Sequence, residues 1–243
     1  MSETTPIKHE VTLEARRAAN KWIVRAISGA VIYGALLFLP AGTLNWIWGW
    51  ALWGVLLALM IVQPWLLLRY RPEVLVEREE KGLWHQGVKT WDKWITTLAG
   101  GLMPLPWIIA GLDVRFQWTT TWPLGYHLAG LLVTGLGYAL FVGAMAYNPF
   151  FAQGVRLQTE RGHVAVTSGP YRYVRHPGYA GAILTQLATP FLLGSPWALI
   201  PAGMSAVLFI IRTYLEDTML LAELPGYKEY AQQTPRRLWP GVW

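Results

Sequence analysis

The chain has 243 residues, of which 53% are hydrophobic and only 14% are charged, and it contains no cysteine. Soluble domains carry about 25% charged residues, so this composition excludes a disordered chain and a secreted enzyme. The missing cysteine excludes disulfides, thiolate nucleophiles and Cys-ligated zinc. More than half of the chain lies in four stretches without Asp, Glu, Lys or Arg, at 26–68, 94–112, 116–155 and 176–211. We therefore predict an all-α, polytopic transmembrane helical bundle.

A spanning helix needs about 20 apolar residues, so the first and the last of these stretches each hold two spans. Turn-forming residues divide them, at 40–45 in the first stretch and at 194–196 in the last. Pro104 and Pro106 should kink the third span. The sequence thus predicts about six spans, at 26–40, 46–68, 94–112, 124–147, 178–193 and 197–213.

Lysine and arginine are concentrated in the segments that alternate along this pattern, up to residue 25 and at 69–93, 148–175 and 212–243. Cytoplasmic loops carry such an excess, so we predict that both termini and the two long loops are cytoplasmic. The net charge of +6 then reflects topology. Binding to anionic lipid headgroups is a secondary role for it, and a nucleic-acid-binding surface is not expected.

Polar chemistry meets the membrane in the last hundred residues. Residues 162–181 read GHVAVTSGPYRYVRHPGYAG and lead directly into the fifth span. Pro177 suits the first turn of a helix, where a missing N–H costs nothing. Arg175, His176 and Tyr179 should therefore lie at the cytoplasmic start of that span, where unpaired N–H groups and the helix dipole favour an anion.

A second polar cluster lies at the cytoplasmic end of the sixth span. Arg212 and Glu216 are four residues apart, so they share one helical face. Because a tight turn joins spans five and six, these spans should pack antiparallel and bring His176, Tyr179, Arg212 and Glu216 together. Ionisable residues at this depth are costly unless they are paired or functional. A purely structural alternative is a capping His176 and an Arg212–Glu216 ion pair.

Other polar or small residues favour structural interpretations. Gly135 and Gly137 are typical of close helix packing within a span. The pair Arg236-Arg237 is typical of a membrane-surface anchor. Three histidines are expected to face solvent or the interface, and we assign them no role: His9, His85 and His127.

Four motifs near the C-terminus resemble, in order and spacing, the isoprenylcysteine carboxyl methyltransferase (ICMT) family of membrane methyltransferases, whose broader group includes phospholipid methyltransferases. They are RHPGYAG, R-x-x-x-E-D, LPGYKEY and RRLWPG, beginning at residues 175, 212, 224 and 236. The resemblance covers about 125–243. It divides the chain into an N-terminal region with spans 1–3, residues 1–115, and a methyltransferase core, residues 116–243, within one structural unit.

In that family S-adenosylmethionine lies in a cytoplasmic pocket formed by the last two spans, the preceding loop and the C-terminal segment. A lipophilic acceptor enters from the bilayer. The resemblance implies catalytic roles for Arg212, close to the acceptor, and for Glu216 and His176. The family commonly has Glu-Glu where this chain has Glu216-Asp217, which leaves the role of Asp217 open. The implied cofactor contacts are Gln158, His163, Val164, Ala165, Val166, Tyr171, His176, Pro177, Gly178, Tyr179 and Glu216.

The chemistry of these residues agrees with that implication. Glu216 can pair with the ammonium of the cofactor, and His176, Arg175 or helix N–H groups can meet its carboxylate. Residues 163–166 can offer backbone hydrogen bonds and an apolar wall for adenine. A carboxylate acceptor needs no general base, whereas an amine acceptor would make His176 a candidate base. Methyl transfer requires no metal, and no His, Asp or Glu spacing suggests one.

Two other functional classes are compatible with parts of the pattern. An NADPH-dependent membrane reductase of the sterol-reductase type has a similar C-terminal hairpin, but such enzymes are usually longer. A transporter or binding module would favour internal repeats and mid-membrane charges, which are not seen. The compact size and the lack of cysteine fit a bacterial inner-membrane enzyme. Its acceptor would be an isoprenoid, a lipid or a prenylcysteine-like molecule.

Overall fold

The computed structural model describes residues 13–239, 241 and 243. Within this part of the chain the structure is all-helical, with two short 3₁₀ helices at Thr159–Arg161 and Gly169–Arg172 and no strand. The α-helices are α1 (Leu13–Ala41), α2 (Ile47–Tyr70), α3 (Pro72–Glu80), α4 (Thr90–Leu102), α5 (Leu105–Phe116), α6 (Leu124–Tyr147), α7 (Pro177–Leu193), α8 (Leu199–Glu223) and α9 (Tyr227–Gln233).

The predicted class, a polytopic membrane bundle, is confirmed. Among the described residues, five helical segments are long and apolar enough to cross a bilayer, at 19–41, 47–70, 90–116, 124–147 and 199–223. The remaining predicted span is α7, which has 17 residues and is therefore about 26 Å long, slightly short of a hydrocarbon core of about 30 Å. Most of its residues are buried, so its neighbours α6 and α8 enclose this short helix.

Proline and glycine set the breaks between helices. The predicted kink of the third span is an interruption of the helix, since α4 ends at Leu102 and α5 begins at Leu105, with Pro104 between them. In the last hairpin, α7 ends before Gly194, whose φ of 76° lies in the left-handed region. The Gly194 N–H donates to the Pro190 carbonyl at 2.9 Å, which closes the helix end as glycine caps commonly do.

The contact between α6 and α7 depends on glycine. A Cβ added at Gly137 would lie 2.5 Å from Thr185 Oγ1 and 2.8 Å from the Gly181 carbonyl oxygen, so the two backbones approach as closely as glycine permits. A Cβ at Gly135 would meet nothing within 4 Å. The prediction of small-residue packing is therefore confirmed for Gly137 and wrong for Gly135, which lies on another face of the same helix.

The expectation that His127 faces solvent or the interface is wrong. His127 is buried, its Nδ1–H donates to the Leu192 carbonyl at 2.8 Å, and its ring stacks on Trp48 with centroids 4.2 Å apart. A histidine whose hydrogen bond is satisfied can lie inside a bundle. His85 is half-buried, and His9 lies outside the described residues.

Gly137→Ala should destabilise the protein, because the added methyl group meets backbone atoms of α7 that cannot move without displacing the helix. Overpacking of this kind costs about 1–3 kcal/mol. Thermal unfolding in detergent should show a lowered midpoint for Gly137→Ala. Gly135→Ala is the matched control and should leave the midpoint unchanged or raised, since alanine favours helix. Equal midpoints for the two variants would contradict the assigned contact.

Candidate functional site

A cavity of about 380 Å³ lies among α3, α4, α6, α7, α8, α9 and the segment between α6 and α7. This volume falls within the range of small-molecule sites. Apolar side chains such as Met103, Phe141 and Phe209 form part of the wall. Charged and hydrogen-bonding side chains form the rest, as is usual for a site that must orient a polar ligand.

The structure brings the four predicted polar residues of the last hairpin together on this wall. The Tyr179 hydroxyl donates to Glu216 Oε2. The Arg212 guanidinium lies over the Tyr179 ring, 5.0 Å from its centroid. The His176 ring stacks against the same Tyr179 ring, with the two centroids 5.7 Å apart. Tyr179 therefore organises the group, since it contacts each of the other three side chains.

Most of the predicted cofactor contacts also line the cavity: His163, Val164, Ala165, Val166, Tyr171, Gly178, and the hairpin residues described above. The structure does not bring Gln158 or Pro177 to its wall. Gln158 is buried inside the loop, where its Nε2 donates to the Phe150 carbonyl at 2.6 Å and its Oε1 accepts from Arg161 at 2.5 Å. Pro177 is buried at the first position of α7. The ligand-binding roles of all these residues stay predictions.

His163 is held as a neutral imidazole. Burial, together with the positive charges of Arg156 and Arg161, lowers its pKa to about 4. Its Nδ1 accepts the Gln158 N–H at 3.3 Å, and the Phe150 ring packs 4.4 Å from its own. The imidazole proton therefore lies on Nε2, which leaves this side chain as a neutral, partly aromatic part of the wall.

Asp217, whose role the sequence left open, is the most highly bonded acid of the site. It is fully buried and accepts a bidentate pair of hydrogen bonds from Arg175, at 2.7 and 2.8 Å. It also accepts from Arg237 Nε at 2.7 Å, from the Tyr227 hydroxyl at 2.9 Å and from His176 Nε2 at 3.2 Å. Burial and the negative charge of Asp217 raise the pKa of Tyr227, so this hydroxyl stays protonated and donates.

This network corrects two expectations. Arg175 does not reach out for an anionic ligand, because Asp217 holds it and its Nη1 donates to the Thr234 carbonyl at 2.8 Å. Arg237 is not a membrane-surface anchor, because its charge is neutralised inside the protein. The C-terminal tail, the residues that follow α9, also pairs with the start of α7 through its backbone, since the His176 N–H donates to the Arg237 carbonyl at 2.9 Å. The helix start is therefore covered by the tail.

Arg212 pairs with Asp92, a residue that the sequence analysis missed. Its Nε and Nη2 donate to the two Asp92 carboxylate oxygens at 2.6 and 3.1 Å, so the alternative of an Arg212–Glu216 ion pair is wrong. Asp92 is fully buried and also accepts the Val155 N–H at 2.6 Å. An acid at the edge of an apolar stretch is itself a signal, but its partner lies 120 residues away along the chain.

Comparison with known proteins identifies the same part of the chain. The model of the isoprenylcysteine carboxyl methyltransferase (ICMT) family matches residues 130–222, which confirms the resemblance. The protein-S-isoprenylcysteine O-methyltransferase of Tribolium castaneum is 35% identical over 108 residues, 43% of this chain and 38% of that protein. The human enzyme of that name is 27% identical over 145 residues, 55% and 51% of the two chains.

A bacterial relative has a different name. The cobalt-zinc-cadmium resistance protein CzcN of Cupriavidus metallidurans is 33% identical over 132 residues, 49% of this chain and 52% of that protein. The chain thus spans about half the length, or less, of the curated relatives it matches. The matched region includes His176, Glu216 and Asp217 but neither Asp92 nor the C-terminal tail.

Asp217→Asn should release the C-terminal tail, because it leaves Arg175 buried without a counter-charge. Breaking a buried ion pair in this way costs about 3–5 kcal/mol. Limited trypsin digestion in detergent should cleave after Lys228 in α9 and after Arg236 in the tail faster than in the unmodified protein. Glu223→Gln, which removes a half-exposed carboxylate from the same helix, should leave the cleavage rate unchanged. Equal rates for the two variants would contradict the anchoring role of Asp217.

Proposed function

We propose that the protein is an integral membrane methyltransferase that transfers the methyl group of S-adenosylmethionine to a lipophilic acceptor, an isoprenoid, a lipid or a prenylcysteine-like molecule. The observation that carries the proposal is Glu216. It is a carboxylate on the cavity wall without an ion-pair partner among the described residues, and it lies within the region matched by a methyltransferase family. Relatives named as O-methyltransferases support methyl transfer as the activity.

The residues of the cavity fit the cofactor by their chemistry. Glu216 is suited to hold an ammonium group, because Tyr179 fixes one of its oxygens and leaves the other for a ligand. The neutral His163 and the small apolar side chains of Val164, Ala165 and Val166 form a wall suited to a purine. When bound, S-adenosylmethionine supplies an electrophilic methyl group on a sulfonium. No lining residue needs to act as a covalent nucleophile.

The remaining side chains hold the reacting partners in place. Asp92 fixes the Arg212 guanidinium, and Asp217 fixes the His176 ring, so both groups are oriented before a ligand binds. Apolar side chains such as Met103, Phe141 and Phe209 form part of the wall, and a site that excludes water when its ligands bind strengthens every electrostatic contact inside it. With a carboxylate acceptor His176 only lines the site. With an amine acceptor it would take the proton that the amine must lose.

The same proposal places the protein in a bacterial inner membrane with both termini in the cytoplasm. The alternation of lysine- and arginine-rich segments along the chain supports this orientation. The compact size of the chain and the absence of cysteine support the location, as does a relative from Cupriavidus metallidurans. In this orientation the start of α7 and the C-terminal half of α8, which carry the polar residues of the cavity wall, face the cytoplasm.

Glu216→Gln should weaken cofactor binding by about tenfold or more, the value of one charge-assisted hydrogen bond. Isothermal titration of the purified protein in detergent with S-adenosylhomocysteine, the demethylated product, measures the effect. His176→Ala should also weaken binding, because the ring lies between Tyr179 and Asp217. Glu223→Gln on the same helix lies outside the cavity and should bind as the unmodified protein does.

Two results would contradict this proposal. Unchanged affinity in both Glu216→Gln and His176→Ala would remove the cofactor site. Thermal stabilisation of the unmodified protein by NADPH, with none by S-adenosylmethionine, would instead favour a membrane reductase.

A further inference from the structure

One wall of the cavity is formed by the cavity loop, residues 150–166 between α6 and α7. Residues 150–156 and 163–166 of this loop line the cavity, and apart from the 3₁₀ helix at 159–161 the loop has no regular structure. Asp92 of α4 fixes its first part through the Val155 N–H. A loop without regular hydrogen bonding has little stability of its own, so the part after Val155 needs another attachment.

A cluster of ion pairs attaches this second part of the loop to α3. The carboxylate of Glu77, in the last turn of α3, accepts a hydrogen bond from Arg156 Nη2. The other oxygen of the same carboxylate lies 3.6 Å from Lys81 Nζ and 3.9 Å from Arg161 Nη1. Glu160 pairs with Arg156 at 2.8 Å and with Lys81 at 2.9 Å. Three cations therefore share two carboxylates, one from α3 and one from the loop itself.

The two carboxylates of this cluster differ in exposure. The side chains of Glu77 and Arg156 are 5% and 6% exposed, whereas that of Glu160 is 47% exposed. Hydrogen bonds from Lys81 and Arg156 lower the pKa of Glu160 to about 2, so it stays charged at neutral pH. Exposed ion pairs still contribute little, because water and salt screen them. Breaking a buried pair leaves an uncompensated charge inside the protein, so Glu77 carries most of the attachment.

The same cluster is connected to the wall proposed for the purine. The Arg161 guanidinium lies over the Phe150 ring, 5.6 Å from its centroid, and the Phe150 ring packs against that of His163. His163 begins the stretch 163–166 that lines the cavity, and Arg156 lines it directly. A displacement of the two arginines would therefore displace this wall.

We propose that Glu77 is a positioning residue of the cofactor site, which acts through Arg156 and Arg161 by holding the cavity loop against α3. This inference rests on the proposed function. Glu77 itself does not line the cavity, and it lies outside the family match at 130–222. The N-terminal region of the chain thereby sets the shape of a wall that belongs to the methyltransferase core.

Loss of the Glu77 charge should open this wall. Arg156, Arg161 and Lys81 would then share one half-exposed carboxylate, and their mutual repulsion would favour separation of the loop from α3. The cofactor would bind only to those molecules in which the wall is in place. The apparent affinity of a ligand falls by the fraction of molecules in the competent state.

Glu77→Gln removes the charge and keeps the shape of the side chain. Isothermal titration in detergent should show S-adenosylhomocysteine binding weakened about tenfold, as expected if one molecule in about ten has the wall in place. Glu79→Gln is the matched control, because it removes a similarly buried carboxylate from the same helix, whose partner Arg25 lies on α1. Its affinity should equal that of the unmodified protein. Glu160→Gln should change the affinity by about twofold or less.

The position of the loop can be measured without any ligand. The chain has no cysteine, so spin labels at Thr159→Cys in the loop and Glu80→Cys at the end of α3, both exposed positions, report their separation by double electron–electron resonance. The distance distribution should be narrow with no further substitution and with Glu79→Gln. It should be broader and extend to longer distances with Glu77→Gln, and narrow again when S-adenosylhomocysteine binds.

Three results would overturn the proposal: unchanged affinity in Glu77→Gln, an equal loss of affinity in Glu79→Gln, or a loss in Glu77→Gln without any change in the distance distribution. If Glu77→Gln does not fold, Glu77→Asp, which keeps the charge and shortens its reach, must show the same effects to a smaller extent, and their absence also overturns the proposal. Failure of the unmodified protein to bind S-adenosylhomocysteine would instead contradict the proposed function. The distance distributions of the unliganded variants would then still decide whether Glu77 holds the loop.

Discussion

The arrangement of the site depends on one buried carboxylate, that of Asp217. A charge removed from water must be compensated within the protein, and the groups that compensate it come from three separate parts of the chain. Arg175 belongs to the segment before α7, Tyr227 begins α9, and Arg237 lies in the C-terminal tail. Because all three converge on a single residue of α8, the Asp217 carboxylate holds the tail against the start of α7. His176 is oriented by the same carboxylate.

A second buried ion pair, Asp92–Arg212, connects the two halves of the chain. Asp92 belongs to α4, and through the Val155 N–H it also fixes the loop that forms another side of the cavity. The cavity is thus built by residues from both 1–115 and 116–243, although the family match lies only in the second region. The division of the chain at residue 115 stays a prediction. The wall of the site crosses it.

Much of the architecture follows from local features of the sequence. The uncharged stretches predict the spans, Pro104 and Pro106 predict the interruption between α4 and α5, and Gly194 predicts the turn of the last hairpin. The proximity of His176 and Glu216 is predicted by one further inference, that two helices joined by a tight turn pack antiparallel. These inferences work because hydrophobic length, proline and glycine act within a few residues of where they stand. Membrane orientation stays a prediction, which rests on the alternation of lysine- and arginine-rich segments.

The partners of buried charges could not be predicted in the same way. Helical spacing offers Glu216 as a structural partner for Arg212, the alternative to a functional role, yet the partner of Arg212 is Asp92, 120 residues away along the chain. Arg237 and His127 likewise have partners far away along the chain, in Asp217 and the Leu192 carbonyl. Nothing near a charged residue in sequence shows which distant group will neutralise it. Such pairs follow from the tertiary fold, and here they decide which charges remain available to a ligand.

The most direct test of this account is a structure of the protein in a lipid nanodisc with S-adenosylhomocysteine bound. The account predicts the amino group of the ligand within hydrogen-bonding distance of Glu216, the purine against residues 163–166, and the Asp217 network intact. A ligand bound outside this cavity would contradict it, and so would a Glu216 carboxylate neutralised by a lysine or arginine of the protein itself.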